Sequence, residues 1–206
     1  MIKKEIYPKT QRVKCIGAKI EITEKLDGSN LVIFKLNNEI NIAQRNNIFN
    51  ICEITENKDK LYKGLFQWLL DNKDILQNEL IENSAICGEW LGMGKLKYPI
   101  DEFDKRFYMF AKANVYEDIL LTNLKYEHDL FKYPFTTQVI PSCIGIVPVV
   151  GSIPYIPDKE SLDKMYERYV EKVERKVEGF VINYENNISK YVRMKNGKLQ
   201  EHFDRT

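Results

Sequence analysis

Two apolar-rich runs, residues 30–36 and 39–44, are separated by nothing but Asn37-Asn38. That spacing narrows the fold more than any other feature of the chain. A two-residue connection of this kind is a hairpin turn, so the runs are predicted to pair as antiparallel strands. Residues 18–24 alternate weakly and read as a further strand. Residues 84–90 and 106–115 are strand candidates as well. Residues 179–184 and 189–194 close the chain as two strands, with Glu185-Asn186-Asn187 as the turn between them. Two segments carry helical spacing instead. In residues 59–83, Leu61, Leu65, Trp68 and Leu69 fall at i, i+4, i+7 and i+8, with a bend or second helix expected near 71–74. In residues 161–173 the stripe runs through Leu162, Met165, Tyr166, Tyr169, Val170 and Val173. The stretch 116–157 holds five of the seven prolines and reads as loops and short strands. The expectation is a mixed α+β fold of antiparallel sheets flanked by helices, in one domain over residues 1–206.

Composition excludes several classes. At 206 residues the chain can bury a sizeable core. No run is long and apolar enough to span a bilayer, and the basic N-terminus has no apolar stretch behind it, so a soluble cytoplasmic protein is expected. Four cysteines without a CxxC pair and only two histidines argue against a zinc site or a disulfide framework. A net charge of +1 argues against a nonspecific nucleic-acid coat, but leaves room for a local basic groove. Trp68 and Trp90 read as core residues.

The chemistry is concentrated first in Glu24-Lys25-Leu26-Asp27-Gly28-Ser29-Asn30. A lysine sits at the end of one strand-like segment, and Gly28 lets the chain turn tightly into the next. A lysine becomes a nucleophile when neighbouring positive charge or desolvation depresses its pKa. Alone, this pattern is better explained by a surface hairpin turn with a solvated lysine. Further along, Arg45 ends a strand with a guanidinium suited to phosphate. Glu89 lies near the end of 84–90, and Phe107-Tyr108-Met109-Phe110 offers an aromatic edge for stacking on a base. Glu178 precedes 179–184, and Arg193 and Lys195, at i and i+2, are expected on one face of the last strand.

In that order these segments resemble the covalent nucleotidyltransferases, the superfamily of ATP-dependent ligases and mRNA-capping enzymes. The resemblance is greatest to RNA ligases of the RNA ligase 2 type. It implies that Lys25 takes AMP from ATP as a lysyl-AMP and passes it to an RNA 5′-phosphate, which a 3′-hydroxyl then attacks. It also implies that Glu24, Leu26, Asn30, Arg45, Glu89, Phe110, Arg193 and Lys195 bind the nucleotide with Lys25. Glu178 is implied as the metal-associated acid, for Mg2+ or Mn2+, and Asp27 and Arg45 as contacts of the nucleic-acid end. Arg193 and Lys195, with the metal, would lower the Lys25 pKa. Three departures stand out: Ala111 follows Phe110 where the family often has Asp, Arg193 replaces a lysine, and the chain ends eleven residues after Lys195. The last leaves no room for a separate nucleic-acid-binding domain, so a monomer aided by a partner domain or protein is expected. The competing readings are a DNA ligase, a GTP-dependent capping enzyme, or a noncatalytic module that binds nucleic-acid ends.

Overall fold

The computed structural model describes residues 11–12, 20–44, 47–51, 62–92, 94–116, 121–125, 134–154, 157–184, 187–195 and 198–199. In chain order the elements are β1 (Gln11–Arg12), β2 (Ile20–Lys25), β3 (Ser29–Leu36), β4 (Glu39–Ala43), β5 (Ile48–Asn50), α1 (Leu65–Glu79), β6 (Ser84–Trp90), β7 (Phe107–Val115), β8 (Leu121–Lys125) and β9 (Ile144–Ile146). They continue with β10 (Val149–Ile153), α2 (Lys159–Val173), β11 (Gly179–Tyr184), β12 (Asn187–Val192), β13 (Met194–Lys195) and β14 (Lys198–Leu199). The fold is α+β, with antiparallel pairing dominant. It divides into two compact units. One comprises Met1–Lys9, Gly28–Gly94 and Tyr98–Ile146, and the other Thr10–Asp27, Lys95–Lys97 and Val147–Thr206.

The first unit is a sheet of order β5-β4-β3-β6-β7-β8, with β9 pairing parallel to β7. Its nucleus is the predicted hairpin: Asn37 and Asn38 have φ of 54° and 57°, the left-handed pair that a type I′ turn requires. Alternation sends Leu31 and Ile33 of β3 to one face, where they pack with Leu65, Leu69 and Leu76 of α1. Val32, Phe34 and Leu36 go to the other, among Ala85, Cys87, Ala111 and Ala113. Trp90 is fully buried and meets Trp68, partly buried against the same core, edge-on at 5.6 Å between ring centroids. Helix α1 runs unbroken through 71–74, which corrects the expected bend. The polar residues there stay helical because their side chains bond back along the helix. Asn72 donates to the Trp68 carbonyl at 2.7 Å, and Gln67 donates to Asp71 at 2.7 Å. The expected start of this helix at 59–61 lies outside the described residues.

The second unit is a sheet of order β1-β12-β11-β2-β10, packed on α2. Ile20 and Ile22 from β2, Phe180 and Ile182 from β11, and Tyr191 from β12 join Leu162, Tyr166 and Tyr169 of the helix in one core. The Asp158 side chain caps α2 by accepting from the Ser161 N–H at 2.8 Å. Its C-terminal cap, Glu174, adopts φ 52°. Among the described residues no helix is long and apolar enough to cross a membrane.

Gly179 begins β11 between β2 and β12. A Cβ there would lie 1.9 Å from the Tyr191 carbonyl oxygen. Gly179→Ala is therefore expected to cost about 2–4 kcal/mol, since only backbone movement relieves the overlap, and Asp158→Ala about 1 kcal/mol. Urea unfolding midpoints of the two variants against wild type measure both.

Candidate active site

Strand β2 ends at Lys25, on the face opposite Ile20 and Ile22. Its Nζ lies 2.6 Å from Glu178 Oε2, and it also donates to the Leu26 carbonyl at 3.4 Å. The two side chains are 23% and 17% exposed, so the pair is shielded but open on one side. Burial pushes the Glu178 carboxyl above its ordinary range, and the Lys25 ammonium only partly offsets it. Asp27 raises it further, and Lys190 pulls the other way. Asp27 itself is committed to the chain: Oδ2 accepts from the Lys95 N–H at 2.5 Å and the Leu96 N–H at 2.8 Å.

In the first unit, Asn30 stands directly opposite Glu89, and Glu89 opposite Tyr108. Asn30 shares the face of Val32 and Phe34 by alternation. Phe110 packs against that same face. It gets there through a bulge, because Cys87 pairs with Ala111 and Gly88 with Met109, leaving Phe110 as the extra residue. Asn30, Glu89 and Phe110 are thus on one side of one sheet. Gly28 is needed for its size: a Cβ would lie 2.5 Å from the Trp90 carbonyl oxygen and 2.8 Å from Glu89 Cγ.

A family model for RNA ligase matches residues 18–196. The chain belongs to the RNA ligase family. A search of curated proteins found no match. Among solved structures, a ligand-free variant of a Naegleria gruberi RNA ligase superposes with TM-score 0.55 at 18% identity, covering 92% of this chain and 56% of that one. A second Naegleria gruberi RNA ligase variant, solved with ATP and manganese, gives TM-score 0.51 at 18% identity, covering 93% of this chain and 59% of that one. A variant solved with AMP and manganese gives 0.50 at 16%, again covering 93% and 59%. This chain therefore spans less than two thirds of the length of these ligases, and the likeness establishes the shared fold.

The structure describes some of the residues singled out from the sequence and not others. Arg45 and the side chain of Lys195 lie outside the described residues. Arg193 differs from expectation. The chain leaves strand geometry at this residue, between β12 and β13, so the i, i+2 argument does not apply. Its guanidinium turns to α2, donates to Asp163 Oδ1 at 2.9 Å and lies 5.5 Å over the Tyr166 ring. Lys25 pairs with an anion, Glu178. The contact the resemblance implies at Glu24 and Leu26 is through their backbone; the Glu24 side chain is buried against Arg175. Leu26 is buried as well.

Sequence reasoning missed Arg175 and Lys190. Lys190 pairs with Val181, which pairs with Thr23 on β2, so register puts it on the Lys25 face. A single charge in the middle of an otherwise uncharged strand is the signal that could have found it.

Asp163 also accepts from Lys159 and from the Tyr191 hydroxyl. Burial works to raise its pKa, but these donors and the Arg193 charge hold it below the ordinary aspartate value. A depressed carboxyl stabilises the fold above its unfolded pKa, and that stabilisation is lost as pH falls through the folded value. Asp163→Asn is therefore expected to lower the urea midpoint at neutral pH. The gap to wild type should close in acid, below about pH 4. A gap that stays constant with pH contradicts this account.

Proposed function

We propose that the chain carries out the nucleotide-transfer chemistry of an ATP-dependent RNA ligase. The observation that carries this reading is Lys25 Nζ at 2.6 Å from Glu178 Oε2, at a strand end, in a chain of the RNA ligase family. Lys25 loses a proton and its amine attacks the α-phosphorus of ATP. An N–P bond forms, the bond to the bridging oxygen breaks, and pyrophosphate leaves. The AMP then passes to the 5′-phosphate of an RNA end, and a 3′-hydroxyl displaces it.

The nucleotide would lie along Asn30, Glu89 and Phe110, with Glu89 offering an acceptor to ribose hydroxyls and Phe110 a face to the base. Arg45 and Lys195 are the cations we assign to its phosphates. Glu178 fits a hard divalent ion such as Mg2+ or Mn2+, as a partly exposed oxygen donor whose negative charge is only partly offset by Lys25. Such an ion would neutralise charge on the transferring phosphate. Among the described residues no three acids, histidines or cysteines cluster. Glu178 would be the carboxylate that holds such an ion, with phosphate oxygens and water as hard oxygen donors beside it.

Incubated with α-labelled ATP and Mg2+ or Mn2+, the protein is expected to acquire AMP covalently on Lys25, and Lys25→Ala to acquire none. Glu178→Ala should slow the adduct by about 100-fold, the scale of losing one electrostatic contact to the transition state. Wild type without adduct over a broad pH range would falsify the reading. GTP in place of ATP, and nicked DNA in place of RNA, separate it from capping enzymes and DNA ligases.

A further inference from the structure

The last two residues of β2 carry opposite charges on opposite faces. Glu24 continues the inward series of Ile20 and Ile22, and its side chain is 0% exposed. Arg175, 8% exposed, grips it with both prongs: Nη1 donates to Oε1 at 2.6 Å and Nη2 to Oε2 at 2.7 Å. The Tyr169 hydroxyl adds a third donor, to Oε2 at 2.9 Å. Burial and the Glu24 charge push that hydroxyl's pKa up, which keeps it a donor.

Arg175 lies on the connection from α2 to β11, three residues before Glu178. The connection is tied again at Val177, fully buried, whose carbonyl accepts from the Tyr166 hydroxyl at 2.7 Å. With Arg175 and Val177 held on the inner face, Glu178 emerges on the outer face, where it meets Lys25. One short connection is thus fastened to two successive residues of β2, once through the core and once at the candidate site. A two-pronged guanidinium–carboxylate contact fixes orientation as well as distance. Against a well-packed apolar pair, a buried ion pair adds little net stability. What the fork supplies here is placement.

We propose that Glu24, Arg175 and Tyr169 form a positioning clamp that holds Lys25 and Glu178 in the alignment needed for nucleotide transfer. They act through those two side chains rather than on the nucleotide. The inference rests on Lys25 being the nucleophile.

The test is lysyl-AMP formation by the full chain at varied ATP, alongside thermal melting. Glu24→Gln or Arg175→Met alone strands a buried charge and lowers the melting temperature. The double variant removes both charges at nearly constant volume and is expected to melt near wild type. Its adduct formation at saturating ATP is expected to be about 10- to 100-fold slower with KM for ATP unchanged, the effect of a displacement of about 1 Å at the reacting centre. Recovered melting with an unrecovered rate separates positioning from a purely structural role. A double variant that melts near wild type and reacts at the wild-type rate overturns the clamp. If the double variant does not fold, Tyr169→Phe decides: a severalfold slower rate at unchanged KM supports the clamp, and the wild-type rate overturns it. Wild type without adduct overturns the Lys25 reading itself, and the clamp with it, a failure distinct from an unaffected double variant.

Discussion

The alternation of side chains at the end of β2 organises the second unit. Because successive residues face opposite ways, Glu24 goes into the core while Lys25 comes out of it. Strand β11 is laid across them with Phe180 opposite Glu24 and Gly179 opposite Lys25. The close approach of the Tyr191 carbonyl then leaves no space for a side chain at Gly179. The backbone of Glu178 extends the same arrangement to the start of β13, since its carbonyl accepts from the Arg193 and Met194 N–H groups, both at 2.9 Å. Register, hydrogen bonds and two ion pairs therefore fasten the Lys25 motif, the Glu178 segment and the start of β13 to one another.

This arrangement has an electrostatic cost. Burial raises the Glu178 carboxyl even with an ammonium at 2.6 Å, so the charged form is held at some expense. An exposed surface pair would carry no such penalty, and would do little to orient either partner. Positive charge offsets part of that cost. Lys190 contributes in that direction from the same face of the sheet.

Local pattern predicted the elements well where local physics decides them. Asn37-Asn38 specified its own turn, and the strand runs at 30–36, 84–90 and 179–184 emerged within a residue or so of their expected bounds because alternation against a core is a short-range signal. The α1 bend was misjudged because polar residues on a solvent face look like a break in the sequence and are not one in a helix that binds them back. Arg193 was misplaced because the i, i+2 rule assumes an unbroken strand, and the break was not visible in Tyr-Val-Arg-Met-Lys. Arg175 carried no local mark at all: its partner is 151 residues away, and one arginine among the alternating charges 171–176 reads as solvated surface.

Phe110 shows how far a family pattern reaches beyond such local signals. The two halves of β7 obey conflicting alternations. Phe107 and Met109 pack on the α1 side, and Ala111, Ala113 and Val115 on the other. An unbroken strand sends alternate residues to opposite faces, so it would put Ala111 on the same side as Phe107 and Met109. The bulge opposite Cys87 and Gly88 resolves the conflict by letting Phe110 and Ala111 face the same side. Nothing in Phe-Tyr-Met-Phe-Ala signals a bulge, because its cause lies in the neighbouring strand and in the two different cores that the ends of β7 serve. The family motif singles out Phe110, and the irregularity of the sheet supplies its orientation. Motif and pleat therefore carry different information, and the Asn30–Glu89–Phe110 face requires both.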